Sequence, residues 1–70
     1  MKSKELIRIL MKAGWSIVRQ KGSHIILRHL VEDKQIIVPM HGSKDVHEGL
    51  LRKILKIAGL NKKGESYEKN

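Results

Sequence analysis

The spacing of apolar residues changes twice along this chain, and that change constrains the fold more than any other feature. Residues 3–13 follow helical spacing, with Leu6, Ile9 and Leu10 on one face. Residues 15–38 instead contain short runs of β-forming residues, and residues 46–58 return to helical spacing. We therefore expect the order α-β-β-β-α and an α+β fold, in which two helices cover one face of a three-stranded antiparallel sheet.

Each predicted helix ends at a glycine. We expect Ser3 to be the N-cap of the first helix and Gly14 to follow its end. The second helix, over residues 46–58, is expected to end before Gly59. At both ends an Ala-Gly pair precedes a large apolar residue, which suits a left-handed helix end with a hydrophobic contact.

Three strands are expected between the helices, over residues 15–20, 24–30 and 35–38. Lys21-Gly22 supplies a turn between the first two, so these strands form a hairpin. Pro39 cannot donate a hydrogen bond to a ladder, so it ends the third strand or lies at an edge, and residues 39–45 form a loop. Residues 25–27 place apolar side chains on both faces of the second strand. The outer ones are either covered by a partner or exposed.

The length of 70 residues allows one small domain. We assign residues 1–60 to it and expect the polar residues 61–70 to be a disordered tail. The chain has no cysteine, which fits a reducing compartment and leaves no disulfide or thiolate metal site. No signal peptide or membrane span is apparent, so the expected location is the cytoplasm and no membrane is expected as a partner.

The charge of the chain favours an anionic partner. Fifteen Lys and Arg stand against seven Asp and Glu, for a net charge of +8. Residues 1–60 alone have twelve basic and five acidic residues, a balance of +7. The excess therefore belongs to the predicted domain, and it suits a nucleic-acid backbone or an acidic protein surface.

One histidine stands at the hairpin turn among these cations, in the run Lys21-Gly22-Ser23-His24. An imidazole can take and give a proton near neutral pH. Arg19 and Lys21 are the nearest cations in sequence, and Gly22 lets backbone N–H groups approach a phosphate. Ser23 can orient the imidazole or bind phosphate, although serine beside glycine is common turn chemistry. A lone histidine at a turn is more often a solvated surface residue, so this run alone does not establish catalysis.

Four segments together resemble the HicA toxins, which are small ribonucleases of bacterial toxin–antitoxin pairs. They are residues 2–15, 22–24, 38–42 and 49–60. The resemblance covers residues 2–60 and implies a double-stranded-RNA-binding-domain-like fold. It also implies an endoribonuclease that cleaves mRNA without a cofactor and inhibits translation, with a cognate HicB-type antitoxin as partner. The family's required histidine corresponds to His24, which would act as general acid or base.

The residues expected to bind RNA surround that histidine: Arg19, Lys21, Gly22, Ser23 and Arg28. Positive charges nearby disfavour a protonated imidazole, which suits His24 to the role of base. No metal is expected, because the chain has no cysteine and no pair of ligands at short helical spacing.

The sequence does not identify the second acid or base. His29 has the opposite strand parity from His24 and should face away from it. His41 approaches only if the fold brings its loop round, and His47 begins the last helix. Each is more often a surface or capping histidine, and water or Lys21 are alternative partners.

Two other functions fit the same residues. The first is a non-catalytic RNA-binding module, in which basic side chains contact the backbone and 2′-hydroxyls and His24 only assists binding. The second is a protein-interaction domain whose basic charge serves an acidic partner.

Overall fold

The computed structural model describes residues 1–42, 44–61 and 65. Its elements along the chain are the helix α1 (Ser3–Lys12), the strands β1 (Trp15–Lys21), β2 (His24–His29) and β3 (Gln35–Pro39), and the helix α2 (Glu48–Ala58). The strands form an antiparallel sheet in the order β1-β2-β3. The predicted α+β class and element order are therefore confirmed. Most of the predicted tail, residues 62–64 and 66–70, lies outside the described residues.

Both helices bury their apolar stripes against the same face of the sheet. The core is aliphatic apart from one tryptophan, and its buried members are Leu6, Ile7, Leu10, Trp15, Ile25, Leu27, Ile36, Val38, Val46, Leu51, Ile54, Leu55 and Leu60. Alternate residues of β2 and β3 point into this core, so the residues between them form an opposite face that neither helix covers. We call this the open face. Among the described residues, no helix is long and apolar enough to cross a membrane.

Ser3 has a different role from the one predicted. Lys2 is the N-cap of α1, and Ser3 is the first residue of the helix. The Ser3 side chain is buried, and its Oγ donates a hydrogen bond of 2.9 Å to the carbonyl oxygen of Pro39. The partner lies 36 residues away in sequence. Local capping preferences therefore could not reveal that Ser3 joins α1 to the end of β3.

The hairpin turn is one residue later than predicted. Lys21 belongs to β1, and the two turn residues are Gly22 and Ser23. Gly22 has a φ of +60° at the first turn position, which is typical of the type II′ turn that suits twisted hairpins. The third strand extends one residue beyond the predicted range 35–38, and Pro39 ends it rather than beginning the loop. The second strand stops at His29, and Leu30 beyond it is 95% exposed.

The start of α2 also differs from the prediction. The helix begins at Glu48, two residues after the predicted start at Val46. Val46 instead donates its N–H to the carbonyl of Met1 at 2.8 Å and is buried in the core. His47 is the N-cap, and its Nδ1 accepts the Gly49 N–H at 3.1 Å. A histidine thus takes the place that a short polar residue usually fills.

Candidate active site on the open face of the sheet

His24 begins β2 on the open face. It lies opposite Lys21 of β1 and Pro39 of β3. The next residue, Ile25, is buried in the core, so the His24 side chain points the other way. His24 is exposed, and no hydrogen bond joins its imidazole to any residue within the described part of the chain. Both ring nitrogens are therefore open to a bound molecule.

A β-bulge in β1 determines which cations reach this face. Ile17 pairs with Leu27 but Arg19 pairs with Ile26, so Val18 is an extra residue without a partner. Residues paired across strands share a face, so Arg19 lies on the open face with Ile26.

By the same register Lys21 lies on the open face with His24. Strict alternation from the buried Trp15 would place Arg19 and Lys21 toward the helices. The bulge therefore places both cations on the same face as His24, which regular alternation along the strand does not predict.

Arg28 shares this face but lies at its far end. It is four positions along the extended strand from His24, a distance of about 13 Å. Its guanidinium binds the Asp33 carboxylate at 3.1 Å, in an exposed ion pair. Of the cations predicted to bind RNA, Arg19 and Lys21 therefore lie beside the histidine and Arg28 does not.

The turn next to His24 is accessible and fixed in place. Apart from Gly22 and its two chain neighbours, no atom of the described residues lies within 4 Å of the position that a Cβ of Gly22 would occupy, so a ligand can approach the backbone there. Ser23 is exposed, and its carbonyl accepts the N–H of Met40 at 2.6 Å. This bond joins the turn to the segment that follows β3.

Apolar side chains cross the middle of the open face. Ile26 pairs with Ile37 of β3, and Ile37 is 44% exposed. The residues of the three strands include no aspartate or glutamate. The open face thus combines cations, a histidine and an apolar strip, a combination suited to an anionic ligand or to a partner with acidic and apolar groups.

His29, at the other end of β2, has no free ring nitrogen. Its Nδ1 accepts the N–H groups of Val31 at 3.1 Å and Glu32 at 3.4 Å. Its Nε2 therefore carries the proton, and it donates to the carbonyl of Ala13 at 3.2 Å. The ring also meets Trp15 edge-on at 5.3 Å. The prediction that His29 faces away from His24 is confirmed by the strand register.

The loop between β3 and α2 is tied to the start of the chain. Asp45 forms an isolated antiparallel bridge with Lys2, whose ammonium lies 3.2 Å from the Asp45 carboxylate. The hydrogen bond and the charge of Lys2 lower the pKa of Asp45 below its usual value. Within the residues described, no group of three or more His, Cys, Asp or Glu could hold a metal ion.

The fold and the open face define a class of protein: a small basic α+β domain of the double-stranded-RNA-binding-domain type, with an accessible histidine among cations. The family model for the HicA toxin of bacterial toxin–antitoxin systems matches residues 3–60, and the chain belongs to this family. It is thus the toxin of a toxin–antitoxin system, and its partner is a cognate antitoxin. No curated protein matches the sequence at a significant level.

Proposed function

We propose that this toxin is an endoribonuclease that cleaves mRNA without a metal ion, with His24 as a general acid or base, and so inhibits translation and growth. The observation that carries the proposal is the position of His24. Its imidazole is exposed, makes no hydrogen bond with a described residue and lies directly opposite Lys21.

The chemistry needs a proton acceptor beside a phosphate. A base removes the proton of a ribose 2′-OH, and the oxygen attacks the adjacent phosphorus. His24 fits this role because both of its nitrogens are accessible. Cβ atoms of directly opposed residues lie about 4.5–5.5 Å apart, so one phosphate can contact His24 and Lys21 together.

Charge develops on the phosphate as the reaction proceeds, and cations fixed nearby stabilise it. Lys21 is in the same cross-strand pair as His24, and Arg19 lies on the same face in the next outward-facing pair. The open space at Gly22 adds backbone N–H groups that can approach the phosphate. Arg28 contributes to binding of the RNA backbone farther along the sheet, at the cost of its exposed pair with Asp33.

We propose that the antitoxin covers this same face. Ile26 lies between His24 and Arg28 along β2, and Ile37 lies beside it on β3, so a covering surface with acidic and apolar groups would match this face. RNA and antitoxin would then compete for the site. Because the face is basic, association with the antitoxin should be fast and should slow as salt is raised.

The direct test is incubation of the purified toxin with a transcribed mRNA in EDTA. We expect cleavage by the wild type and a rate about 10²–10⁴-fold lower for His24→Ala, the loss expected for a general acid or base. The matched control is His47→Asn, which removes an exposed histidine while asparagine still caps α2. Binding without cleavage would favour the non-catalytic RNA-binding module.

Growth provides a second test. Induced expression of the wild type without antitoxin should arrest growth, and expression of His24→Ala at equal level should not. Equal growth of the two strains would contradict the proposed catalytic toxin and favour an interaction domain.

A further inference from the structure

The four histidines of the chain divide into two pairs. In His29 and in His47, Nδ1 accepts backbone N–H groups, so these two rings have a structural role. His24 and His41 are exposed, and neither imidazole hydrogen-bonds to another residue in the described ranges. His24 and His41 are therefore the two histidines whose side chains are available to a bound substrate.

The strand register brings them together. His24 pairs with Pro39, and the Met40 N–H donates to the Ser23 carbonyl at 2.6 Å, so the ladder continues beyond this pair. Met40 packs against the core, so the alternation places Pro39 and His41 on the open face. His41 is thus a diagonal neighbour of His24 across the two strands. Such neighbours lie about 7–8 Å apart, within reach of aromatic side chains.

His41 is also held in place. On one side, the buried Ser3 hydroxyl fixes the carbonyl of Pro39 at 2.9 Å. On the other, the His41 carbonyl accepts the Lys44 N–H at 3.1 Å, which closes a turn. A residue with an accessible side chain and a fixed backbone is suited to act on a bound substrate.

We propose that His41 is the second catalytic residue and donates the proton to the leaving oxygen. This inference rests on the proposed endoribonuclease function. His24 accepts the proton of the ribose 2′-OH. The 2′-oxygen forms a bond to phosphorus, the bond from phosphorus to the 5′-oxygen breaks, and the His41 imidazolium protonates that oxygen. The products are a 2′,3′-cyclic phosphate and a 5′-hydroxyl, and water then restores both protonation states.

The test compares two forms of one short RNA. A mixed-sequence oligoribonucleotide is first mapped for its cleaved linkage. It is then synthesised again with sulfur in place of the bridging 5′-oxygen at that linkage. A thiolate leaves without needing a proton, so this substrate bypasses a general acid.

We expect His41→Asn to cleave the oxygen substrate about 10²-fold or more slowly than the wild type, and the sulfur substrate within about tenfold of it. His24→Ala should be slow on both substrates. His47→Asn should match the wild type on both, and far-ultraviolet circular dichroism should verify that each variant is folded.

Three results would contradict these expectations. Near-normal cleavage of the oxygen substrate by His41→Asn would overturn the proposal. Equal impairment of that variant on both substrates would also overturn it, because the defect would then not be in proton donation. Failure of the wild type to cleave the unmodified RNA at the mapping step would instead refute the endoribonuclease function itself.

Discussion

The two ends of β2 each carry a histidine, and the two rings differ in their hydrogen bonds to the protein. His29 uses both ring nitrogens in bonds to the backbone and packs against Trp15. His24 is on the other face and leaves its nitrogens open. The difference lies in whether the neighbouring backbone uses up the hydrogen-bonding capacity of the ring. A structural histidine and a candidate catalytic one thus stand on a single strand of six residues.

The His29 corner is shaped by a glycine. Gly14 follows α1 with a φ of +102°, and a Cβ there would lie 2.6 Å from Nε2 of His29. The ring therefore occupies the space that a side chain at residue 14 would need. His24, by contrast, is exposed.

The largest expected effect is on RNA cleavage. It tests whether a change at the His24 end of β2 lowers activity without lowering stability. His24→Ala should lose about 10²–10⁴-fold in RNA cleavage. Its free energy of unfolding should stay within about 0.5 kcal/mol of the wild type, since the side chain is exposed and its imidazole makes no hydrogen bond with a described residue. Urea denaturation and a cleavage assay on the same preparations measure both quantities. A large loss of stability in His24→Ala would contradict the distinction between a catalytic His24 and a structural His29.

Gly14→Ala should produce the largest loss of stability, about 3 kcal/mol, because it combines a strained positive φ with a clash against His29. Its control is Gly59→Ala, at a φ of +71°, where apart from the chain neighbours no atom of the described residues lies within 4 Å of the added Cβ. That control should lose only about 1–2 kcal/mol.

The clash can be isolated from the backbone strain. If the His29 ring is its source, the double variant with His29→Ala should be less destabilised than the sum of the single changes. Additive free energies of unfolding from urea denaturation would show that the ring is not involved.

His29→Ala should itself cost about 2 kcal/mol, because it leaves backbone groups without partners and removes packing against Trp15. For a domain of this size, that lowers the melting temperature by about 8–16 °C. Below the melting transition, its cleavage rate per folded molecule should remain near that of the wild type. A cleavage defect as large as that of His24→Ala would contradict the assignment of His29 to structure.

The smallest expected effect concerns Asp45, in the loop between β3 and α2. Asp45 has a lowered pKa in the folded state because Lys2 hydrogen-bonds to it and attracts its charge. Its contribution to stability is therefore present above the unfolded pKa and is lost as pH falls through the folded pKa. Asp45→Asn should be slightly less stable than the wild type near neutral pH, and the difference should vanish in acid. Chemical denaturation at several pH values would measure this, and a constant difference would contradict it.

Local patterns predicted much of this structure. The spacing of apolar residues predicted both helices, all three strands and the opposite facing of His24 and His29, because these depend on neighbours along the chain. The bonds from Ser3 to Pro39 and from Met40 to Ser23 depend on how distant segments pair. No local preference specifies such contacts, so they became visible only in the folded chain.

The bulge at Val18 keeps the two halves of β1 in one register with β2. Val18 has no partner on β2, so the ladder passes from the pair Ile17–Leu27 directly to the pair Arg19–Ile26. The bulge thus accommodates one extra residue while Arg19 and Lys21 stay on the same face as His24. A change that forced Val18 into the ladder would turn both cations toward the helices without removing a single charge.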